Sequence, residues 1–485
     1  MIRRMLCGVF SFSLLMTVLA TSSVPAATAV DARDPRTMKF EPVKIPTPKA
    51  ERVVLENGIV VYLLPDTELP LVTLSAMVRT GSIYEPADKT GVADLTAAVM
   101  RIGGTERMSG DAIDETLEYL AANVSIGIGH ESGGATLDIL RKDFRQGLAI
   151  FTDLLRRPAF EAGKMERAKR QALESIRRRN DNPAGITARQ FRKLLYGADH
   201  PFGRESTATT VSRITRDDLV NFHRAFFMSR ELMLAVSGDF EKDEMLTALR
   251  EAFADWRVTP APLPVIPPPT TTATADGRTS VFIVPRNLTQ THLRLGQLSV
   301  FENDPDYFAL ALLDDILGGN SFTSRLFRDV RNRQGLAYSV GSALRPGHLA
   351  PGALLLHALT KAPTTYQALN SMLEQYKRLR EEPVSDLELQ QAKDAFLNSF
   401  VFSFADAGQI VGRLMELEYF GLPPDFLQQF RDGIMRLTKE DLLRVARKHL
   451  DPSRLIILAV GKDEDFEKSL TAFGRVTVLL LKPEG

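Results

Sequence analysis

The chain has 485 residues, in which 60 lysines and arginines balance 60 aspartates and glutamates. A formal net charge of zero argues against a nucleic-acid-binding protein and against a polybasic membrane-surface protein. With 44% hydrophobic and 25% charged residues, the composition is that of a folded globular protein and excludes a disordered or fibrous one.

The N-terminal segment Met1–Ala29 is predicted to be a cleavable export signal. Arg3 and Arg4 precede an apolar run at Met5–Ala20, and Ala27–Ala29 is the small-residue end that suits signal peptidase. The run is shorter than the roughly 20 apolar residues that a membrane anchor needs, so we expect a periplasmic protein that is not inserted in a membrane. Because Cys7 is the only cysteine and lies inside the signal, the mature chain would have no disulfide and no thiolate metal site.

The predicted elements of the mature chain begin with a β-hairpin. Two β-rich runs flank Asn57-Gly58, a dipeptide typical of a two-residue hairpin turn. Another strand is predicted at Leu71–Val78, and long helical patterns follow at Asp143–Leu155 and Ala162–Arg179. Strands and helices are segregated along the chain, which favours an α+β fold.

Two segments of the first half recur in the second half, both at the same spacing along the chain. Ile214–Leu219 (ITRDDL) reappears as Leu437–Leu442 (LTKEDL), and Leu232–Gly238 (LMLAVSG) reappears as Leu455–Gly461 (LIILAVG). In each copy, a threonine followed by two acidic residues predicts an N-capped helix, and the apolar run predicts a buried strand that ends at glycine. The repeat therefore predicts two α+β domains of similar fold.

A proline- and threonine-rich segment, residues 257–278, separates the two copies. Proline fixes φ and removes a backbone donor, so this segment is predicted to be an extended linker. The predicted domains are residues 45–256 and 279–485.

The segment from Gly81 to Thr105 resembles the first-domain motif region of the pitrilysin/insulinase (inverzincin) metallopeptidases, and it contains GSIYEP, GVADLTAA and GGT. In that family an inverted zinc motif, H-x-x-E-H, follows the Gly-x-Ala step. The motif works because histidines at i and i+4 project from one helical turn toward a zinc, while the glutamate acts on the metal-bound water. The corresponding positions here are Asp94, Ala97 and Ala98.

The resemblance implies that the zinc site of this half is degenerate, since alanine neither coordinates a metal nor carries a proton. A further glutamate ligand of the family matches Glu174, which with Asp94 would leave at best a weak carboxylate pair. No two of the seven histidines lie three to five residues apart, so a helical two-histidine zinc site is absent from the sequence. No metal is therefore predicted in this chain. No G-x-S-x-G elbow, P-loop or dinucleotide glycine fingerprint is found either.

The second half carries the more specific motifs. Residues 316–327 (ILGGNSFTSRLF) and 330–339 (VRNRQGLAYS) are similar to the second domain of the same family, in which an arginine and a tyrosine form a pair. The matching residues are Arg331 and Tyr338, and the resemblance implies that they hold the carbonyl group of a substrate bound at the zinc. A guanidinium fork and a phenolic hydroxyl suit that role, which corresponds to an oxyanion-type contribution of roughly 2 to 4 kcal/mol.

Each of these residues also has a structural interpretation. Arg331 can be a solvated helix residue, and Tyr338 can be an aromatic at the edge of the core. Gly318 and Gly319, predicted together with Asn320 to bind substrate, either approach a peptide backbone or form a helix-to-loop turn.

The resemblance covers nearly all of the mature chain, and it implies two pitrilysin-like domains, each an antiparallel-rich sheet packed with helices. It further implies the zinc-less subunit of a heterodimeric, processing-peptidase-like enzyme. Its homologous partner would carry H-x-x-E-H and the zinc, and its substrates would be peptides. On this interpretation the chain holds no cofactor and is inactive alone. Two alternatives stay open: a non-enzymatic scaffold, as in the family's relatives in a respiratory complex, and a stand-alone peptide-binding protein.

Overall fold

Two six-stranded sheets, one from each half of the chain, form the framework of the protein. The computed structural model describes residues 49–228, 231–256, 263–272 and 279–481. The predicted export signal lies outside the described residues. Within the described ranges, no helix combines the length and the apolar character that crossing a membrane requires.

The first half of the chain forms one sheet and the helices that cover it. The strands are β1 (Glu51–Val54), β2 (Val60–Pro65), β3 (Leu71–Val78), β4 (Asn123–Ile128), β5 (Gly133–Leu140) and β6 (Leu232–Gly238). The helices are α1 (Val92–Ile102), α2 (Gly110–Tyr119), α3 (Phe144–Arg156), α4 (Ala162–Arg178), α5 (Pro183–Tyr196), α6 (Ala208–Arg213), α7 (Arg216–Phe226) and α8 (Lys242–Phe253).

The second half forms the other sheet and its helices. The strands are β7 (Ser280–Pro285), β8 (Gln290–Leu298), β9 (Ala337–Arg345), β10 (Ala353–Lys361), β11 (Ile456–Gly461) and β12 (Arg475–Val478). The helices are α9 (Tyr307–Asp314), α10 (Thr365–Glu381), α11 (Asp386–Phe400), α12 (Ala407–Tyr419), α13 (Phe426–Arg436) and α14 (Lys439–His449). Two π-helical turns, Asp315–Gly319 and Phe327–Arg333, lie between α9 and β9.

Five strands of each sheet share one topology, and the sixth differs, because β1 pairs antiparallel with β2 whereas β12 pairs parallel with β7. Their strand orders are β1-β2-β6-β3-β5-β4 and β12-β7-β11-β8-β10-β9. In both, a parallel pair (β2 with β6, β7 with β11) adjoins a run of antiparallel pairs. The predicted pair of α+β domains with similar fold is confirmed.

The local elements follow the sequence signals. β1 and β2 pair antiparallel around Asn57-Gly58, where Gly58 has a φ of 87°. The two copies of the repeat give α7 with β6 and α14 with β11. Each helix begins with a reciprocal capping box, in which Thr215 pairs with Asp218 and Thr438 pairs with Asp441. The strands β6 and β11 occupy central positions and are buried along nearly their whole length.

The two halves exchange helices. α5 belongs to the first half but packs against β8 and β11 of the second sheet, where Phe191 and Leu194 share one buried cluster with Leu458. α12 belongs to the second half but packs against β2 and β6 of the first sheet, where Met415 and Met233 belong to one buried cluster. Each half therefore supplies a helix that covers the sheet of the other half.

The described part of the predicted linker, residues 263–272, contains no helix or strand. The backbone N–H groups of Thr270 and Thr272 donate to the carbonyls of Tyr196 and Leu194 at the end of α5, each at 3.0 Å. This stretch is therefore hydrogen-bonded to the end of α5, the first-half helix that packs on the second sheet.

Candidate functional site

The N-terminus of α1 lies over a buried carboxylate. The backbone N–H groups of Gly91 and Ala93 donate to Glu85 Oε1 at 3.1 and 2.7 Å. Gly91 has a φ of 105°, so a residue with a side chain would be strained at this turn. Burial raises the pKa of Glu85 to about 7, although the two N–H groups oppose that rise.

The three positions of the degenerate motif lie on α1. Asp94 lines a pocket of about 250 Å³, and the protein atoms around it raise the pKa of its carboxyl group above the ordinary value even though its side chain reaches solvent. Ala97 is buried in the core and Ala98 is exposed. Of these three positions, only Asp94 offers a donor atom.

Glu174 does not join Asp94. It forms ion pairs with Arg177 at 2.9 Å and Arg178 at 2.7 Å on the exposed face of α4, and it does not line the pocket. Its neighbour Ser175 lines the pocket instead. Adjacent residues on a helix point about 100° apart, so a match by residue type that is one position off misses the site. The predicted residual carboxylate pair of Asp94 and Glu174 is therefore not formed.

Arginines occupy much of the wall of the Asp94 pocket. They are Arg179, Arg189, Arg192 and Arg204. Glu205, whose side chain is almost fully buried, lies within ion-pair distance of two of them and 2.8 Å from Lys193. The wall of the pocket thus contains a network of charges that pair with each other.

A second pocket, of about 370 Å³, contains the predicted arginine and tyrosine of the second half. Arg331 lies in the second π-helical turn, exposed, with its guanidinium carbon 4.7 Å from the ring centroid of Phe327. Tyr338 lies at the start of β9 and is 76% exposed, so it is not a core-edge aromatic. Gly335, with a φ of 65°, reverses the chain between them.

The two predicted glycines line the same pocket. A Cβ at Gly318 would lie 2.4 Å from the backbone nitrogen of Ser342 on β9, so the close approach at this position is made by the chain's own strand. Asp314 secures that contact, because its two carboxylate oxygens accept from Ser342 Oγ at 2.5 Å and from Leu344 N at 2.9 Å. Gly319 ends the first π-helical turn and is exposed at the pocket.

Asn320 has a local role. Its Oδ1 accepts from the backbone N–H groups of Phe322 and Thr323 at 3.1 and 3.3 Å, which closes the turn after the glycines. It does not line the pocket. The structure therefore brings Arg331, Tyr338, Gly318 and Gly319 together and leaves Asn320 outside.

Comparison with known protein families matches both halves. The family profile described as "Insulinase (Peptidase family M16)" matches residues 60–199, and the profile described as "Peptidase M16 inactive domain" matches residues 213–396. The chain belongs to the M16 peptidase family. Asp94, Ala97 and Ala98 lie within the segment that matches the insulinase profile, and Arg331 and Tyr338 lie within the segment that matches the inactive-domain profile.

Curated relatives of this M16 chain include proteins described as uncharacterized zinc proteases. One from Mycobacterium tuberculosis (strain H37Rv) is 26% identical over 419 residues, which cover 85% of this chain and 93% of the relative. One from Mycobacterium leprae is 25% identical over 372 residues, which cover 76% of this chain and 82% of the relative.

Solved structures resemble the M16 chain over most of its length. The peptidase M16 inactive domain from Pseudomonas fluorescens has a TM-score of 0.76 and 27% identity, and the match covers 85% of this chain and 98% of that one. A protease from Helicobacter pylori has a TM-score of 0.74 at 16% identity, a likeness of fold.

Zinc, which the family resemblance implies, does not fit the residues of the first pocket. Asp94 is the one donor among the three motif positions, and four arginines line the surrounding wall. In the described part of the chain, the one group of three close potential ligands is Asp304, Asp306 and His449. There, Lys448 Nζ lies 2.6 Å from Asp306, so a cation of the chain itself already pairs with that carboxylate.

Two features of the second pocket have no motif in the sequence that would predict them. The pocket is lined also by His357 on β10, which carries no motif. It lies between two π-helical turns, which are frequent at functional sites and have no sequence signature of the kind that predicts an α-helix.

Proposed function

We propose that this M16 chain is the zinc-less, non-catalytic subunit of an exported zinc peptidase. Arg331 and Tyr338 would bind the carbonyl group of a peptide whose bond is hydrolysed at a zinc held by a homologous partner with an intact H-x-x-E-H motif. One observation carries the proposal: the arginine and the tyrosine are both exposed in one pocket, while the motif positions of the first half are Asp94, Ala97 and Ala98.

The donors of the second pocket are available for a ligand. Among the described residues, none forms an ion pair with Arg331, and none hydrogen-bonds to the Tyr338 hydroxyl. Both side chains are held at the surface with their polar ends accessible.

The backbone next to Tyr338 favours an extended peptide as the ligand. In the described part of the chain β9 is the last strand of its sheet, so one of its sides pairs with no strand there. The Leu344 N–H near its end already donates to Asp314, so a peptide would pair with the first part of β9, beside Tyr338. An extended peptide can pair with such an edge, and side-chain donors at its start then reach one peptide carbonyl. A guanidinium fork and a phenolic hydroxyl would stabilise the negative charge that develops on that oxygen.

Three parts of the proposal, namely export, the partner subunit and the zinc bound by that partner, are supported by the sequence alone. The predicted signal at residues 1–29 supports a periplasmic location. A chain that lacks the histidines and the glutamate of the motif needs them from another subunit if it acts in hydrolysis.

The test is the activity of the assembled heterodimer with Arg331→Ala or Tyr338→Phe in this chain. We expect each substitution to lower kcat/KM by about 100-fold, the order found when one oxyanion-stabilising donor is lost. Arg436→Ala and Tyr119→Phe are matched controls, because both residues are exposed and lie outside the pocket. They should leave turnover unchanged.

Assembly is measured on the same samples by gel filtration. Loss of turnover in a complex that still forms would support the proposal. Unchanged turnover in both variants would contradict it and would favour the non-enzymatic scaffold.

A further inference from the structure

A cavity of about 970 Å³ lies where the two halves meet. α5 covers β8 and β11 of the second sheet, and the face of that sheet continues beyond the helix over β10 and β9. The uncovered part of the sheet forms one wall of the cavity, and α5 forms another. A volume of this size is in the range of small-molecule binding sites.

Three arginines line this cavity without a carboxylate partner. They are Arg192 on α5, Arg294 on β8 and Arg345 on β9, and in the described part of the chain no carboxylate lies within ion-pair distance of any of them. The Nε atoms of Arg192 and Arg294 are buried and have no hydrogen-bond partner. Burial and the nearby charge of Arg345 lower the pKa of Arg294. Like charges in a concave site are costly unless an anion compensates them.

The acidic residues of the cavity contact groups other than the three arginines. Glu302 lies 3.2 Å from Arg413 and 3.4 Å from His348, and Glu416 lies 2.6 Å from Arg413. Glu131 Oε1 accepts from the backbone N–H of Leu349 at 2.8 Å. None of these carboxylates lies within ion-pair distance of Arg192, Arg294 or Arg345, and the four arginines that line the cavity outnumber its three glutamates by one.

The rest of the wall is apolar. Phe191, Leu195 and Phe202 from the first half face Ala353 and Leu355 of β10. A ligand that fills this space needs a carboxylate at one end and an apolar body at the other, because a small inorganic anion leaves the apolar wall uncovered.

We infer that this cavity binds an amphipathic carboxylate, with the carboxylate between Arg294 and Arg345 and the apolar body against Phe191 and Leu355. Two sources have this chemistry, the free C-terminus of an apolar peptide and a fatty acid. The inference does not depend on Arg331 or Tyr338, which do not line this cavity.

The test is isothermal titration calorimetry on the full mature chain with three probes. These are an N-acetylated Ala-Leu-Phe peptide with a free C-terminus, the same peptide as its C-terminal amide, and dodecanoate. We expect at least one of the two carboxylates to bind, and Arg294→Gln combined with Arg345→Gln to weaken that binding by about tenfold or more. Arg250→Gln is the control, since Arg250 is an exposed arginine on α8 outside the cavity.

A folding defect is distinguishable from loss of the site. The double variant removes two like charges, so its thermal midpoint without ligand should equal or exceed that of the unmodified chain. Binding of the acid but not the amide identifies a peptide C-terminus, and binding of dodecanoate alone identifies a fatty acid. Equal binding of acid and amide, binding that survives in the double variant, or no binding of either carboxylate would overturn the inference.

Discussion

Gly318 determines how closely the first π-helical turn approaches β9. A Cβ at this position would lie 2.4 Å from Ser342 N and 2.8 Å from the carbonyl carbon of Gly341, and backbone atoms cannot move aside as a side chain does. We expect Gly318→Ala to lower the free energy of unfolding by about 1 to 3 kcal/mol. Urea denaturation measures the change.

A matched substitution separates this crowding from the general effect of replacing glycine. Gly412 lies in α12, and a Cβ there would meet nothing within 4 Å. Gly412→Ala should therefore raise the free energy of unfolding by about 0.5 to 1 kcal/mol. Equal changes in both variants would show that the contact with β9 is not what requires glycine.

We expect the free energy of unfolding to depend on pH because of Glu85. Its pKa is about 7 in the folded chain against an ordinary 4.5, so between these values the folded chain keeps a proton that the unfolded chain has released. The contribution of Glu85 to the free energy of unfolding therefore falls as pH rises from about 4.5 to 7, by up to about 3 kcal/mol.

Glu85→Gln removes this titration and keeps the fold. Both backbone donors bind Oε1, and glutamine retains that oxygen. Urea denaturation at pH 5 and pH 8 should show that the glutamine variant gains stability relative to the unmodified chain at the higher pH. A constant difference between the two proteins would show that Glu85 keeps an ordinary pKa.

Single residues were predictable where a motif fixes their position. Arg331 and Tyr338, which the motif singles out, lie in one pocket on either side of the Gly335 turn. Glu174 was misplaced because residue type alone does not give the direction of a side chain on a helix. The substrate role of Asn320 is not supported by its geometry, since its side-chain oxygen is used within its own turn.

The exchanged helices α5 and α12 end in equivalent tyrosines. The Tyr196 hydroxyl donates to the Pro351 carbonyl of the second half at 3.1 Å. The Tyr419 hydroxyl lies 2.9 Å from the Glu131 carbonyl and 3.2 Å from the Val78 carbonyl, both in the first half. The two tyrosines are separated along the chain by the same spacing as the two copies of the sequence repeat.

Removing either hydroxyl should weaken the attachment between the halves. We expect Tyr419→Phe to lower the free energy of unfolding by about 1 to 2 kcal/mol and Tyr196→Phe to lower it by about 1 kcal/mol, because buried carbonyl groups lose their donor. Tyr119→Phe is the control, since Tyr119 is 87% exposed. Thermal or urea unfolding of the three variants tests this, and a Tyr419→Phe change as small as that of the control would contradict it.

Most of the secondary-structure elements could be predicted from local sequence patterns. The Asn-Gly hairpin, the strand at Leu71–Val78 and the capped helices of the repeat form where the sequence indicates them, because turn and capping chemistry is local. The sequence did not predict that α5 and α12 each cover the sheet of the other half. An apolar helix face predicts that something covers it but does not name the sheet that does.

The whole molecule combines one half without a zinc motif with another half whose predicted substrate residues are accessible. Its internal repeat, two matched sheets and family profiles agree on two M16-type domains. The cavity between the halves depends on how α5 lies on the second sheet, so no motif in the sequence indicated it.

The most direct test of the proposed subunit role is turnover of a quenched fluorescent peptide by the purified chain, by its H-x-x-E-H partner and by the mixture. The account predicts that the chain alone is inactive. It also predicts that the mixture is far more active than the partner alone and that a zinc chelator abolishes this activity. Robust chelator-sensitive turnover by the chain alone, or a mixture no more active than the partner, would contradict it.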